Sequence, residues 1–245
     1  SVLTKNWVAA GPPPAPLTDP SNERNLTRFN PIPAVTAQKA IPLLVTVPNA
    51  AAGPAGVKPA NGWPVVIFQH GITGDRSNAL ALAPAFAQAG WVVAAVDLPY
   101  HGVTSAANPL YQANNEQTFD LDLVNNSTSA PGPDSLTDPS GTHYINLTNV
   151  RASRDSLRQG AANLLALTRA LPTLDLDGNP ATVDIDGTRI AFVGISLGSI
   201  TGVSYAAVLP NAPALVPTVA LSVPGGGIAE LIRDSVSFGP RINAG

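Results

Sequence analysis

The stretch RIAFVGISLGSITGVSYAAV, residues 189–208, decides the fold of this chain. Its apolar start is typical of a buried strand over 189–193, and its second half predicts a helix over 197–208. Between them, Gly194 to Gly198 follow the G-x-S-x-G pattern of a sharp strand-to-helix turn, in which the two glycines avoid a collision and a serine hydroxyl projects above the sheet. We therefore expect Ser196 to be a catalytic nucleophile. The alternative is an ordinary turn residue before a helix.

Short apolar runs and helical patterns alternate on both sides of this stretch. We predict strands at 40–47, 64–69, 91–96 and 217–223, and helices at 77–88 and 153–171. Alternation at this spacing predicts an α/β fold with an open, mostly parallel sheet and flanking helices.

Two segments differ from this pattern. Residues 1–39 include a proline-rich run that cannot be helical, and we expect an N-terminal arm or linker before a core over 40–245. The polar segment at about 103–147 interrupts the core, and we expect a cap-like or lid-like insertion or a flexible one. Within it, alternating apolar and acidic residues over 118–124 predict one short, half-buried strand or an edge.

Composition narrows the classes of function. The net charge is −3 and the 13 basic residues are scattered, so we do not expect a nucleic-acid partner. The absence of cysteine excludes disulfides, thiolate metal sites and cysteine nucleophiles. No apolar run is long enough to span a bilayer. We expect no cofactor, no metal and no obligate protein partner.

The segment FQHGITG, residues 68–74, covers the end of the strand predicted at 64–69 and the loop that follows it. Gly71 lets the chain turn tightly, so that the backbone N–H of Ile72 can point into a site. The N–H of Leu197, directly after the nucleophile, would be the second donor of an oxyanion hole. We expect His70 to order this loop through hydrogen bonds rather than to titrate in catalysis.

The segment DLPYHG, residues 97–102, follows the strand predicted at 91–96. Ligands bind at the carboxyl ends of strands in open α/β sheets, so we expect Asp97 and His101 near the site. A role for His101 as a substitute base is one alternative, and shaping of the loop through hydrogen bonds is the preferred one.

Two other charged patterns have structural explanations. Arg151, Asp155 and Arg158 have the spacing of ion pairs along one helix face. Four acidic residues lie in DLDGNPATVDIDG, which lacks the ligand spacing of an EF-hand, so we favour Asp-Gly turns over a calcium site: Asp175, Asp177, Asp184 and Asp186.

The motifs HGITG, DLPYHG and GISLGS together resemble the α/β-hydrolase superfamily over residues 40–225. The polar insertion, RDSLRQ at 154–159 and PGGG at 224–227 are similar to bacterial extracellular lipases of the virulence-factor type and to surface lysophospholipases. The resemblance implies a small-molecule or lipid ester as substrate, with Ser196 as nucleophile and Ile72 and Leu197 as oxyanion donors. It also implies a secreted or bacterial cell-surface location and peripheral contact with a lipid surface.

One departure from this superfamily concerns the rest of the catalytic triad. The catalytic order there is serine, acid, histidine, but His70, His101 and His143 all precede Ser196. Asp234 lies in a helical setting and is not expected to be the acid. We expect the acid and the histidine beyond residue 245, in a chain that is C-terminally incomplete.

Other functions stay open. Within the enzyme class, a depolymerase of aliphatic polyesters or a peptidase would share the same elbow. A catalytically inactive binding or adhesion module would share the fold and would need no histidine after Ser196.

Overall fold

The computed structural model describes residues 7–12, 26–209, 216–226, 228–236 and 239–240. The chain divides into two compact units, Ser1–Pro42 with Pro99–Gly160, and Leu43–Leu98 with Ala161–Gly245. Part of the expected N-terminal arm, residues 1–6 and 13–25, lies outside the described residues.

Within the described residues, the second unit holds a five-stranded sheet. The strands are β1 (Leu43–Thr46), β2 (Trp63–Gln69), β3 (Val92–Val96), β4 (Ile185–Ile195) and β5 (Thr218–Ser222). Their order in the sheet is β1-β3-β2-β4-β5. β1 runs antiparallel to β3, whereas the pairs β2–β3, β2–β4 and β4–β5 are parallel. The prediction of a mostly parallel sheet is therefore confirmed.

Strands β2 and β3 are buried along their whole length. Their continuous apolar sequences suit strands that are covered on both faces of a sheet. Val66, Phe68, Val93 and Ala95 form a core cluster with Ala79. Burying a valine or phenylalanine side chain contributes about 1.5–3 kcal/mol, so this cluster holds β2 and β3 together close to the ends from which the site loops leave.

The α-helices of the described residues are α1 (Ala83–Gln88), α2 (Val150–Ala170), α3 (Leu197–Val208) and α4 (Ile228–Arg233). α3 begins and ends at the predicted residues. α2 begins before the predicted residue 153 and continues into a 3₁₀ turn at Leu171–Thr173. Every helix in the described part of the chain is too short or too polar to cross a bilayer.

The prediction of one continuous helix over 77–88 is wrong. A 3₁₀ helix at Arg76–Ala81 comes first, and α1 starts after it. Pro84 lies in the first turn of α1, where its missing N–H costs nothing but prevents a continuous helix from the preceding turn. The carboxylate of Asp75 caps the 3₁₀ helix by accepting the N–H of Ser77 at 2.8 Å.

The prediction of a strand over 118–124 is also wrong. The segment consists of turns and irregular structure with an isolated bridge at Val124, and Phe119 has a φ of 58°. The N–H groups of Leu123 and Val124 donate to the carboxylate of Asp138, at 2.7 and 3.3 Å. Carboxylates therefore satisfy backbone donors that a neighbouring strand would otherwise satisfy.

The first unit also contains the charged start of α2. Asp155 is fully buried and accepts hydrogen bonds from Arg154 Nε at 2.8 Å and Arg158 Nη1 at 3.4 Å. The backbone N–H of Trp7 donates to the same carboxylate at 3.3 Å, and its indole donates to Gln159 at 3.1 Å. Pairing between Asp155 and Arg158 is confirmed, and the carboxylate also binds the N-terminal segment.

The parallel strands bring several chain segments to one edge of the sheet. Gln69 lies opposite Gly194, and Phe68 lies opposite Ala95. The residues that follow these strand ends, His70, Asp97 and Ser196, therefore leave the sheet at the same edge.

Candidate active site

Ser196 is the single residue between β4 and α3, and its backbone is strained. Its φ and ψ are 52° and −116°, a conformation that costs a residue with a side chain of order 1–3 kcal/mol. The Ser196 N–H donates to Ser222 O at 3.0 Å, and its carbonyl accepts from the N–H groups of Ser199 and Ile200 at 2.9 and 3.0 Å. These bonds hold the strained turn in place, and the side chain makes no capping bond to α3.

Gly194 and Gly198 allow the close approach that this turn needs. A Cβ on Gly198 would lie 2.3 Å from Gln69 O, and one on Gly194 would lie 2.7 Å from Gly198 O. Both distances are below any tolerable contact, so only glycine lets α3 start directly against the end of β2. The side chain of Ser199 adds a further tie, because its Oγ lies 2.6 Å from Gly194 O and 2.7 Å from Ser222 O.

Gly71 brings the loop after β2 next to the serine. A Cβ on Gly71 would lie 3.2 Å from Ser196 Cβ and 3.7 Å from Ser196 Oγ. Ile72 follows Gly71 directly, and Leu197 follows Ser196 directly. Within the described residues, the N–H groups of Ile72 and Leu197 donate to no protein acceptor. Two adjacent segments thus carry unused backbone donors beside one hydroxyl.

His70 is buried and engaged at both ring nitrogens. The N–H of Leu98 donates to Nε2 at 3.1 Å, and Nδ1 lies 2.8 Å from Gly71 O. Nε2 is therefore an acceptor and is unavailable to take a proton from Ser196. This agrees with the expectation that His70 orders the loop.

A buried ion pair fixes the other end of the same loop, and sequence reasoning missed it. Asp97, at the end of β3, accepts the Arg76 N–H at 2.6 Å through Oδ1 and the Arg76 guanidinium through Oδ2. Both residues are at most 2% exposed. The sequence offers one signal for this pair. Arg76 is a charged residue shortly after a buried strand, in a chain with only 12% charged residues. Asp97 thus contributes to this site as an anchor for the loop.

His101 lies in the first unit and is fully buried. Its Nδ1 donates to Pro99 O at 2.9 Å, and its ring meets Tyr144 edge-on with centroids 5.3 Å apart. The next residue, Gly102, has a φ of 151°, and a Cβ there would lie 2.5 Å from the carboxylate of Glu116. These contacts agree with a role in shaping the loop.

The acidic cluster that suggested a calcium site holds a lysine. Carboxylate oxygens of Asp175, Asp177 and Asp184 lie within 4.8 Å of one another. Lys58 Nζ lies 2.6 Å from Asp177 Oδ2 and 2.5 Å from Asp184 Oδ1. Hydrogen bonding to Lys58 lowers the pKa of both aspartates, and the two carboxylates raise the pKa of Lys58. The Lys58 ammonium group therefore pairs with two of the three clustered carboxylates, those of Asp177 and Asp184.

Comparisons with known proteins add a family match over part of the chain. Residues 34–129 match the family model described as platelet-activating factor acetylhydrolase, isoform II. This segment includes the loop after β2 and the end of β3 but not Ser196. No curated protein matches the sequence.

Solved structures of esterases resemble the chain at low identity. A ferulic acid esterase from Streptomyces cinnamoneus is 18% identical, with a TM-score of 0.36, over 60% of this chain and 33% of that chain. Esterase B from Lactobacillus rhamnosis is 14% identical, with a TM-score of 0.42, over 85% of this chain and 57% of that chain. An acetyl xylan esterase from Paenibacillus sp. R4 is 16% identical, with a TM-score of 0.32, over 69% of this chain and 50% of that chain.

The chain thus spans between 33% and 57% of the length of these three proteins. At such identities and TM-scores, the likeness carries no argument about substrate. The strand order, the strained serine between β4 and α3, and the glycine loop after β2 are those of the α/β-hydrolase fold, so the predicted fold class is confirmed. The family match over residues 34–129 does not single out the extracellular lipase type.

Proposed function

We propose that this chain is the nucleophile-bearing part of a serine carboxylester hydrolase, with Ser196 as the nucleophile. The observation that carries the proposal is the backbone of Ser196, held at φ 52° and ψ −116° at the start of α3. Strain of this kind persists where it serves a function. Here it lifts the Ser196 hydroxyl out of the helix and places it beside Gly71. A Cβ built on Gly71 would lie 3.7 Å from Ser196 Oγ.

The reaction follows from the groups around Ser196. Its Oγ attacks the ester carbonyl carbon, and its proton passes to a general base. The N–H groups of Ile72 and Leu197 donate to the oxyanion that forms. Collapse of this intermediate releases the alcohol, which takes the proton, and leaves an acyl-serine. Water then hydrolyses the acyl-serine to the free carboxylic acid and Ser196.

The general base is not a histidine that follows Ser196 within residues 1–245, because His70, His101 and His143 all precede it. His70 cannot fill the role, because Leu98 N–H occupies its Nε2. We propose a histidine and an acid carried outside residues 1–245, as the serine-acid-histidine order of the superfamily implies.

The resemblance to bacterial extracellular lipases and surface lysophospholipases leads us to propose the substrate and the location as well. The substrate is a lipid ester. The protein is secreted or displayed on a bacterial surface, and it contacts lipid surfaces peripherally. The match to an acetylhydrolase family is compatible with an ester substrate of this kind.

The test uses the full-length protein with a fluorophosphonate probe and a series of p-nitrophenyl esters from acetate to palmitate. We expect the probe to label Ser196 and ester turnover to fall by at least about 10³-fold in Ser196→Ala. Ser127→Ala is the matched control, because Ser127 is exposed on a turn of the first unit, and its rates should equal those of the wild type.

Equal turnover in Ser196→Ala would remove Ser196 as the nucleophile. No labelling and no turnover in the full-length protein would favour the inactive binding module. Faster release of soluble products from an aliphatic polyester film than from the lipid esters would favour the depolymerase.

A further inference from the structure

We infer that His70 is a positioning residue of the proposed reaction, and that its Nδ1–H tautomer sets the direction of the Ile72 N–H toward the oxyanion. The inference rests on the proposed function, and it goes beyond loop ordering because it links one ring proton to one catalytic donor.

The tautomer of His70 follows from its two partners. Gly71 O can only accept, so Nδ1, at 2.8 Å, carries a proton. Leu98 N–H can only donate, so Nε2, at 3.1 Å, carries none. The ring is therefore neutral, with its proton on Nδ1. A protonated ring would place Nε2–H against Leu98 N–H and break one of these bonds.

The Nδ1–H proton then fixes a peptide plane. Gly71 O also accepts the N–H of Gly74 at 3.2 Å. Two donors, His70 Nδ1–H and Gly74 N–H, therefore fix the direction of this carbonyl. In a trans peptide, the C=O and the following N–H point in opposite directions. The N–H of Ile72, which belongs to the same peptide as Gly71 O, is therefore directed away from His70. Because Gly71 adjoins Ser196, the Ile72 N–H lies next to the Ser196 hydroxyl.

The ring itself is held by groups at the end of β3. Leu98 supplies the N–H on Nε2, and the preceding residue, Asp97, lies 3.8 Å from Nε2 through Oδ1. That separation is too long for a hydrogen bond, and Oδ1 already accepts the N–H of Arg76 at 2.6 Å. Asp97 is therefore already bound by Arg76, which donates to both of its carboxylate oxygens. His70 keeps its neutral tautomer beside a compensated ion pair.

The first test separates positioning from simple packing. His70→Phe keeps a planar ring but removes both hydrogen bonds, whereas the side-chain amide of His70→Asn can still donate to Gly71 O. We expect His70→Phe to lower kcat by about 10²-fold with little change in KM. The Ile72 N–H donates to the oxyanion, which forms only along the reaction, so turning this N–H away weakens the transition state and not substrate binding. His70→Asn should recover a large part of that loss.

Two outcomes of this test would overturn the inference. The first is an unchanged kcat in His70→Phe when turnover by the wild type has been shown to depend on Ser196. The second is an equal loss in the Phe and Asn variants with unchanged thermal melting curves, since both would then act without the Nδ1 donor.

The second test does not depend on activity or on any variant. Nitrogen-15 NMR of the wild-type full-length protein, with ring signals assigned to His70, should show a protonated Nδ1 and an unprotonated Nε2 at neutral pH. A protonated Nε2 would overturn the inference even if the esterase assays succeed. If the tautomer is as inferred but no ester is turned over, the proposed function fails and the fixed orientation of the Gly71–Ile72 peptide stands.

Discussion

Gly71 lies directly beside Ser196: a Cβ atom built on Gly71 would be 3.2 Å from the Cβ of Ser196 and 3.7 Å from its Oγ. The strained serine after β4 and the loop after β2 therefore meet at one point. No side chain at position 71 could share that space without displacing either the serine or the loop.

Gly71→Ala should reduce activity more than stability. Its Cβ would be tight rather than impossible at 3.2 Å, and φ at Gly71 is not in the left-handed region, so the loop can shift by a few tenths of an ångström. We expect kcat for ester turnover to fall by about 10-fold to 100-fold, with a change in the free energy of unfolding below about 1.5 kcal/mol. Gly226→Ala, where a Cβ meets nothing within 4 Å, is the control, and an equal kcat in the two variants would contradict the prediction.

Arg76→Ala should strongly destabilise the fold. The change leaves the carboxylate of Asp97 buried without its guanidinium partner, and breaking a buried pair in this way costs about 3–5 kcal/mol. Urea unfolding followed by circular dichroism measures this loss. Arg233→Ala is the matched control, because Arg233 pairs with Asp234 on the exposed surface, and similar unfolding midpoints for the two variants would refute the prediction.

Ser199→Ala should loosen the serine turn. The Ser199 hydroxyl lies within hydrogen-bond distance of the carbonyls of Gly194 and Ser222, and losing such a hydrogen bond costs about 0.5–1.5 kcal/mol. Because Ser222 O also accepts the N–H of Ser196, we expect fluorophosphonate labelling to slow as well. Ser204→Ala, on the same helix and half-buried, should alter neither property; a wild-type unfolding midpoint in Ser199→Ala would count against the prediction.

Lys58→Met should remove a contribution to stability that depends on pH. Lys58 lowers the pKa of Asp177 and Asp184 below the ordinary 3.8. The contribution is therefore fully present above that value and is lost as pH falls through the lowered values. The pKa of Lys58 is itself raised above 10.5, so the contribution is also lost as pH rises beyond that raised value.

Urea midpoints of the wild type and Lys58→Met measure this dependence between pH 2 and 11. The difference between the two should be constant across the neutral range and should shrink toward the acid end. Lys39→Met is the control, because Lys39 donates to the carbonyl of Asn114 rather than to a carboxylate. A difference for Lys58→Met that does not change down to the acid limit would contradict the assigned ion pairs.

Local sequence patterns predicted the elements around Ser196 because each pattern had one stable solution. An apolar run followed by G-x-S-x-G specifies both the end of β4 and the start of α3, since only glycine fits against Gln69 O and Gly198 O. Predictions were wrong where local preference competed with tertiary contacts. The alternation over 118–124 suits a strand, but the carboxylate of Asp138 binds the backbone donors of Leu123 and Val124 instead.

By itself, the sequence determined the alternation of strands and helices, the position of Ser196 at a strained turn, and the Leu197 N–H that directly follows it, because these depend on neighbours in the chain. Only the tertiary structure decided that Arg76 and Asp97, separated by a helix and a strand, form one buried pair, and that Leu98 selects the tautomer of His70. It also decided that Lys58 balances Asp177 and Asp184. Hydrogen bonds and ion pairs act over a few ångströms, so partners distant in sequence are selected only once the sheet has brought them together.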